Sequence, residues 1–336
     1  MEEVENSCCR GRQRVKRIAI TGVSGYIGTR LLSRLETLDT VQRIVGVDIQ
    51  PPKGSSSKLM FYRQDILQPF SRIFTESEVD SAIHLAFVLM PSHDWQATHR
   101  INIDGTLNFL EACRNSQVKH IIFLSSHTVY GAHADNALPL TENSPLRPLR
   151  RFQYSWDKAE TDRMFQDFAA SNQDICVTIL RACVVMGPTA DNAITRSLFK
   201  PVIISVAGHN PAMQFLHEDD LVEVILTFLS QRRPGIFNIA GEGTIPYHDL
   251  ATLSGRRLIA VPAGLLHLVM DFSWRLHLQN ESASEGLSFI KYPVVISTEK
   301  VKRETGFQFR YASLDTVMSF IAAKKQQGNL SSHGWA

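Results

Sequence analysis

The stretch RIAITGVSGYIG, Arg17 to Gly28, decides how the rest of the chain is read. Its first five residues, ending at Thr21, form a short apolar run that stops at glycine. Ile27, Leu31, Leu32 and Leu35 then recur at helical spacing. The order is strand, turn, helix. Gly22, Gly25 and Gly28 fall in the turn, where glycine permits a tight exit from the strand, close approach of backbone to a pyrophosphate, and close helix-to-strand packing. The helix start offers unpaired N–H groups and positive dipole to phosphates. A GxxGxxG pattern alone is common by chance; its place between strand and helix makes it a dinucleotide-binding turn.

Downstream, the same alternation recurs in RIVGVDI ending at Ile49, LMFYRQDI ending at Ile66, VDSAIHLAF from Val79 and HIIFLSS from His120, with helical stretches between several of them. The expected fold class is α/β, a Rossmann-type doubly wound parallel sheet with right-handed crossovers. Helices are expected from about Asn102 to Ser116 and from Tyr154 to Ala170, both with apolar positions that need a greasy neighbour. A sixth strand, ICVTILRACVV from Ile175, reads as buried on both faces. Beyond Gly187 glycine and proline thicken, and short strand-like pieces (VIISV, MQFL, GIFNIA) alternate with helices starting near Glu218, Tyr247 and Gly264. The expected organisation is a polar tail over 1–16, a nucleotide-binding domain over 17–187, a smaller C-terminal substrate-binding subdomain over 188–324 and a polar tail over 325–336. A return to the main sheet is expected near 236–240.

Asp48 ends the second strand, twenty residues beyond Gly28, where a carboxylate can accept both hydrogen bonds from an adenosine ribose and would repel a 2′-phosphate. NAD is therefore favoured over NADP. The alternative role for Asp48 is an exposed turn residue before Pro51 and Pro52. Asp65 competes between contacting the adenine amino group and capping a helix.

Tyr154 and Lys158 stand four apart on an expected helix, one turn apart on one face. An adjacent ammonium favours a phenolate, so Lys158 is expected to bring the Tyr154 pKa down toward neutrality and to hold the nicotinamide ribose. YxxxK by itself is more often a solvated helix face. LSSHTVYG adds Ser125 and Ser126 after the fifth strand, at the carboxyl edge where ligands bind, and a hydroxyl there can hold a substrate oxygen beside Tyr154.

The chain has 336 residues, 44% apolar and 20% charged, which excludes collagenous, low-complexity or wholly disordered polypeptides. Lys and Arg (35) against Asp and Glu (33) leave a net charge of +2, too small for a nucleic-acid surface. The basic stretch Arg10 to Arg17 sits beside Glu2, Glu3 and Glu5 and reads as a solvated tail. The five cysteines, at 8, 9, 113, 176 and 183, lack metal-like spacing and read as reduced and cytoplasmic. Twelve histidines show no HExxH and no close cluster, so no metal is expected. No secretory signal and no run of 18 apolar residues is found, so no transmembrane segment is expected.

Together, TGVSGYIG, VGVDI, HLA (His84 to Ala86), INIDGT (Ile101 to Thr106), LSSHTVYG and YSWDK resemble the extended short-chain dehydrogenase/reductase family, in its NAD-dependent epimerase/dehydratase branch, the sugar-nucleotide 4-epimerases among them. Later matches are LRACVVMGP (Leu180 to Pro188), FLHEDDL (Phe215 to Leu221) and FNIAGEG (Phe237 to Gly243), so the resemblance runs from about Arg17 to about Ala322. It implies Gly22, Gly25, Tyr26, Ile27 and Gly28 on the pyrophosphate turn, Asp48 on the ribose, Asp65 and Ile66 at the adenine, and Leu85 and Ala86 along the cofactor. It implies Ser126 as catalytic serine, counted back from Tyr130 and Gly131, Tyr154 as acid/base, Lys158 as its partner and Asn102 as support for the catalytic machinery. It also implies a homodimer paired through the helices near Asn102 and Tyr154.

Two positions depart from the sugar-nucleotide pattern. Val184 stands where such epimerases resemble one another in an asparagine and Met213 where they have an arginine, both groups that hold a diphosphate. The late helix with Leu265, Leu266, Leu268, Val269, Met270, Phe272 and Trp274 is expected to be mostly core, with a substrate pocket or a membrane-surface contact as alternatives. The leading expectation is epimerase/dehydratase-type redox chemistry on a small hydroxyl-bearing substrate, such as a nucleoside-diphosphate sugar. The alternatives are a net dehydrogenase or carbonyl reductase acting on a hydrophobic alcohol or ketone, and a non-catalytic cofactor-binding scaffold.

Overall fold

The computed structural model describes residues 16–54, 56–89, 93–191, 195–196, 198, 200–278, 284–326 and 328. Most of both expected tails, with Cys8, Cys9 and Arg10, lies outside the described residues.

The apolar run before the glycines is strand β1 (Lys16–Thr21), followed by α1 (Tyr26–Glu36), β2 (Val41–Asp48), β3 (Leu59–Arg63), α2 (Ser71–Glu76), β4 (Ser81–His84), α3 (Trp95–Arg114), β5 (His120–Ser126) and α4 (Gln153–Ser171). Then come β6 (Cys176–Ala182), β7 (Val184–Met186), β8 (Val202–Val206), β9 (Ala212–Met213), β10 (Phe215–His217), α5 (Glu218–Gln231), β11 (Gly235–Ile239), β12 (Ile245–Pro246), α6 (Tyr247–Ser254), β13 (Arg257–Val261), α7 (Ala263–Arg275), α8 (Glu299–Thr305) and α9 (Ser313–Gln326). Seven strands form one parallel sheet in the order β11-β6-β5-β4-β1-β2-β3. Parallel strands joined by helices bury both faces, which is why their sequences are nearly continuous in Val and Ile. One face packs Leu31 and Leu35 of α1 with Ile225 and Phe228 of α5; the other packs Phe74, Phe109 and Phe165 from α2, α3 and α4.

Three expectations are corrected. ICVTILRACVV is two strands: the chain leaves the main sheet at Cys183, and β7 pairs with β10. A continuous apolar run carries no mark of where a buried strand changes partners. Helix α3 begins seven residues before Asn102, at Trp95, capped by Asp94 accepting from the Ala97 N–H at 2.9 Å. The largest correction concerns α7, which buries none of its residues, so it is not core. Leu266, Met270 and Trp274 are half-buried, while Leu265, Leu268, Val269 and Phe272 face outward.

Candidate active site

The carboxyl ends of β1, β2, β4 and β5 meet where β1 and β4, neighbours in space, leave toward opposite halves of the sheet, and such a switch point opens a crevice. Gly22 takes φ +73°, and a Cβ on it would lie 2.6 Å from the Ala86 backbone N. A Cβ on Gly28 would lie 2.2 Å from the Gly22 carbonyl oxygen. Only glycine lets α1 start this close to the strand ends. No side chain caps α1 and no acidic residue occupies its first turn. An uncapped helix start, a glycine cradle and the strand end at Leu85 and Ala86 suit a pyrophosphate.

Asp48 accepts the Ser24 N–H at 3.0 Å through Oδ2 and the Gln50 N–H at 3.1 Å through Oδ1, which fixes its carboxylate beside the glycine turn. Asp65 is exposed and accepts the Leu67 N–H at 2.9 Å in the turn after β3; it caps no helix, since α2 starts only at Ser71. Ile66 is buried against Gly105, where a Cβ would come within 2.4 Å of its Cδ1. The Tyr26 hydroxyl hydrogen-bonds the buried Glu218, which also takes Arg30 at 3.0 Å and the Thr189 hydroxyl at 2.8 Å. Glu218 thus ties α1 to α5 and to the turn after β7. Ile27, half-buried, packs on the core below.

Ser125 and Ser126 are the last two residues of β5, whose alternation sends their side chains to opposite faces. Ser125 donates to Asp162 at 2.6 Å and belongs to the underlying network. Ser126 Oγ accepts from the Thr128 N–H at 3.2 Å and the Thr128 hydroxyl at 3.0 Å, and its hydroxyl lies close enough to the Tyr154 phenol to favour the phenolate. With two bonds accepted, its own proton is available to Tyr154. Ser155 donates to the Thr128 carbonyl at 2.7 Å, pinning the start of α4 to the same turn.

Lys158, one helical turn beyond Tyr154, is buried. Its Nζ donates to the Leu124 carbonyl at 2.8 Å and sits 3.7 Å from the centre of the Phe87 ring. Burial lowers its pKa to about 7, against the pull of Asp162 and Asp157. Tyr154 corrects the expectation set by its neighbour: desolvation raises its pKa, and the nearby Ser126 hydroxyl only partly opposes this. The ammonium expected to favour the phenolate is held by Leu124 and Phe87 and is itself weakened by burial. The resting tyrosine is a neutral phenol, suited to donating a proton.

Asn102 is buried and bridges two segments. Its Oδ1 accepts the Val88 N–H at 2.8 Å, and its Nδ2 donates to Asp157 at 2.8 Å, a carboxylate that also takes His99 at 2.7 Å. It therefore fixes the loop carrying Phe87, which meets Tyr154 edge-on at 6.0 Å.

Sequence reading missed the groups beneath and around this centre. Arg181 makes two bonds to Asp162, at 2.8 and 3.0 Å, and donates to the Tyr130 hydroxyl at 2.9 Å, which donates to Asn238 at 2.7 Å. Asp162 lies four residues beyond Lys158, a spacing that could have flagged it. Phe152 meets Tyr154 at 6.3 Å and Phe289 at 5.4 Å; nothing in the sequence marks that pairing across 137 positions. Val184 and Met213 are partly buried beside Tyr26 in an apolar cluster. His84, bonded to Thr21 at 2.7 Å and Thr106 at 3.2 Å, is a neutral core histidine with its pKa pushed to about 3 by burial. Among the described residues no group of His, Cys, Asp and Glu is placed to hold a metal.

Residues 18–240 match the model of the NAD dependent epimerase/dehydratase family. The chain belongs to this family. An uncharacterized protein of Mycobacterium tuberculosis (strain ATCC 25618 / H37Rv) is 25% identical over 317 residues, covering 92% of this chain and 84% of its own. A UDP-glucose 4-epimerase of Lactobacillus helveticus is 27% identical over 187 residues, 53% of this chain and 54% of that protein. Among solved structures, the Bordetella bronchiseptica enzyme WbmG in complex with NAD superposes with a TM-score of 0.74 at 19% identity, covering 97% of this chain and 100% of that one. The family's NAD fits the glycine cradle, the uncapped helix start and Asp48. The chain is an enzyme of the extended short-chain dehydrogenase/reductase type.

Proposed function

We propose that this enzyme holds NAD along Gly22, Gly25, Tyr26, Ile27 and Gly28, with Asp48 on the adenosine ribose and Asp65, Ile66, Leu85 and Ala86 lining the rest. Its chemistry is then exchange of hydride at a hydroxyl-bearing carbon of a small substrate, as in an epimerase or dehydratase. The observation that carries this is the juxtaposition of Ser126 at the end of β5 with Tyr154 on α4, with Lys158 one turn along and bonded back to β5 at Leu124. When bound, NAD accepts or returns the hydride. Ser126 holds the substrate oxygen. Tyr154 gives a proton to that oxygen when it is a carbonyl, and takes one from it when it is a hydroxyl. Lys158 supplies positive charge beside Tyr154, and Asn102 positions the Phe87 loop.

WbmG has also been solved with NAD and UDP, and a nucleoside-diphosphate sugar is the substrate class that the family points to. A second reading, net oxidation or reduction of an apolar alcohol or ketone, is favoured by Phe87 and Phe152 against Tyr154 and by Val184 and Met213 in place of polar groups. Incubation with UDP-glucose, and separately with a panel of cyclic secondary alcohols plus NAD, distinguishes the two. Converted sugar nucleotide without accumulating NADH supports the first reading; accumulating NADH supports the second. Failure of every substrate while NAD still binds would favour the scaffold.

We further propose a cytoplasmic location, in line with the free thiols of Cys113, Cys176 and Cys183 among the described residues. The enzyme is also proposed to pair as a homodimer through α3 and α4, where the outward-facing Leu107 of α3 is half exposed. Sedimentation equilibrium giving a monomer mass would contradict the pairing.

A further inference from the structure

We propose that α7, with the strand leading into it, is a docking face for an anionic lipid surface, set beside the mouth of the active site. Leu265, Leu268, Val269 and Phe272 of α7, and Leu276 and Leu278 just beyond it, are each more than half exposed, with Leu268 at 69% and Leu278 at 71%. Helix α7 buries no residue at all. Scattered exposed leucines are ordinary, but the face of α7 formed by Leu265, Leu268, Val269 and Phe272, opposite the half-buried Leu266, Met270 and Trp274, leaves a contiguous apolar surface that water does not favour. The patch continues backward through Pro262 into β13, whose exposed Ile259 stands opposite the exposed Ile204 of β8.

The charges around this face select its occupant. Of the charged side chains from Arg256 to Leu278, Arg257 and Arg275 are exposed, whereas Arg256 and Asp271 are partly buried. Asp271 is turned inward, accepting the Ser284 N–H at 3.2 Å. A twofold pairing of α7 with a second copy would bring two net-positive flanks together, whereas anionic headgroups neutralise them. Leucine and phenylalanine along one exposed face of a helix that ends in the exposed Arg275 match the pattern of a helix lying in the headgroup plane. No described helix is long and apolar enough to cross a membrane, so this contact is one of lying on the surface.

The position of the face ties it to the site. His93 stacks on Trp274 at 3.9 Å and on His277 at 4.0 Å, and His93 belongs to the loop between β4 and α3. That loop also carries Phe87 against Tyr154 and the exposed Leu89. Docking would therefore bring a lipid surface next to the loop that borders the catalytic tyrosine.

The test is co-sedimentation of the full chain with extruded phosphatidylcholine vesicles, with and without phosphatidylglycerol, compared with Leu268→Ser/Phe272→Ser and Arg275→Glu. The wild type is expected to partition onto the phosphatidylglycerol vesicles and to be released by salt. The double variant should bind roughly a hundredfold less, and Arg275→Glu several-fold less. Because α7 buries nothing, both variants should keep wild-type circular dichroism and NAD affinity, which separates lost docking from lost folding. Wild-type protein that ignores anionic vesicles, or a double variant that binds as well as wild type, overturns the proposal. So does a solution mass that falls on Leu268→Ser/Phe272→Ser without vesicles, since a second copy would then cover the face.

Discussion

Tyr154 and Lys158 show how burial reshapes a motif. A tyrosine and a lysine one turn apart suggest a phenolate held by an ammonium, yet Lys158 is buried, Tyr154 is half-buried, and desolvation pushes each toward its neutral form. Replacing Tyr154 by Phe should lower turnover by about a hundredfold or more while leaving NAD affinity unchanged, as steady-state kinetics and calorimetry would show. Equal loss of both would assign Tyr154 to cofactor binding alone. Lys158 gives a pH signature. Its folded pKa of about 7 lies below the ~10.4 of an unfolded lysine, so between these values the unfolded chain holds a proton that the folded chain has released. Stability therefore gains with rising pH across that window, and the charged, buried lysine costs most below it. Denaturant midpoints should show this rise in wild type relative to Lys158→Met, and a pH-independent difference would contradict it. The tight glycine turn and the placing of Tyr154 and Lys158 on one helix were legible because each depends on spacing within a single turn or helix face. The aromatic neighbours Phe87, Phe152 and Phe289 were not, because they meet only through the fold.

At the scale of elements, two junctions bear most on the site. Helix α1 rests on β1 so closely that a methyl group on Gly28 would overlap the Gly22 carbonyl. Gly28→Ala should shift α1 off the strand ends and weaken NAD by tenfold or more, with the protein still folded; unchanged affinity by calorimetry would show that the cradle is looser than its geometry. Asp162 of α4 joins Arg181 of β6 and Ser125 of β5, with both charged side chains almost wholly enclosed. Asp162→Ala strands a buried guanidinium and should cost about 3–5 kcal/mol, read from urea unfolding. A loss under about 1 kcal/mol would mean that the arginine reaches water instead. The alternation of strand and helix was readable because buried parallel strands must be apolar. The break between β6 and β7 was not, since both pieces are equally apolar and only their partners differ.

Across the whole molecule, the seven-stranded sheet followed from sequence pattern because each βαβ step repeats the same physical requirement. Exposure of α7 could not be read that way: apolar residues signal burial only when something is there to cover them, and a helix amphipathic toward lipid looks in sequence like one directed at a core. Glu218, bonded to Tyr26, Arg30 and Thr189, links α1 to α5 and to the turn after β7. Everything downstream of this arrangement depends on which dinucleotide the cradle takes. Protein purified gently and titrated calorimetrically with NAD and with NADP, its bound small molecules identified by mass spectrometry, measures this directly. NAD retained from purification, or binding at least tenfold tighter than NADP because Asp48 repels a 2′-phosphate, is the expected result. Preference for NADP, or no binding of either dinucleotide, would contradict it.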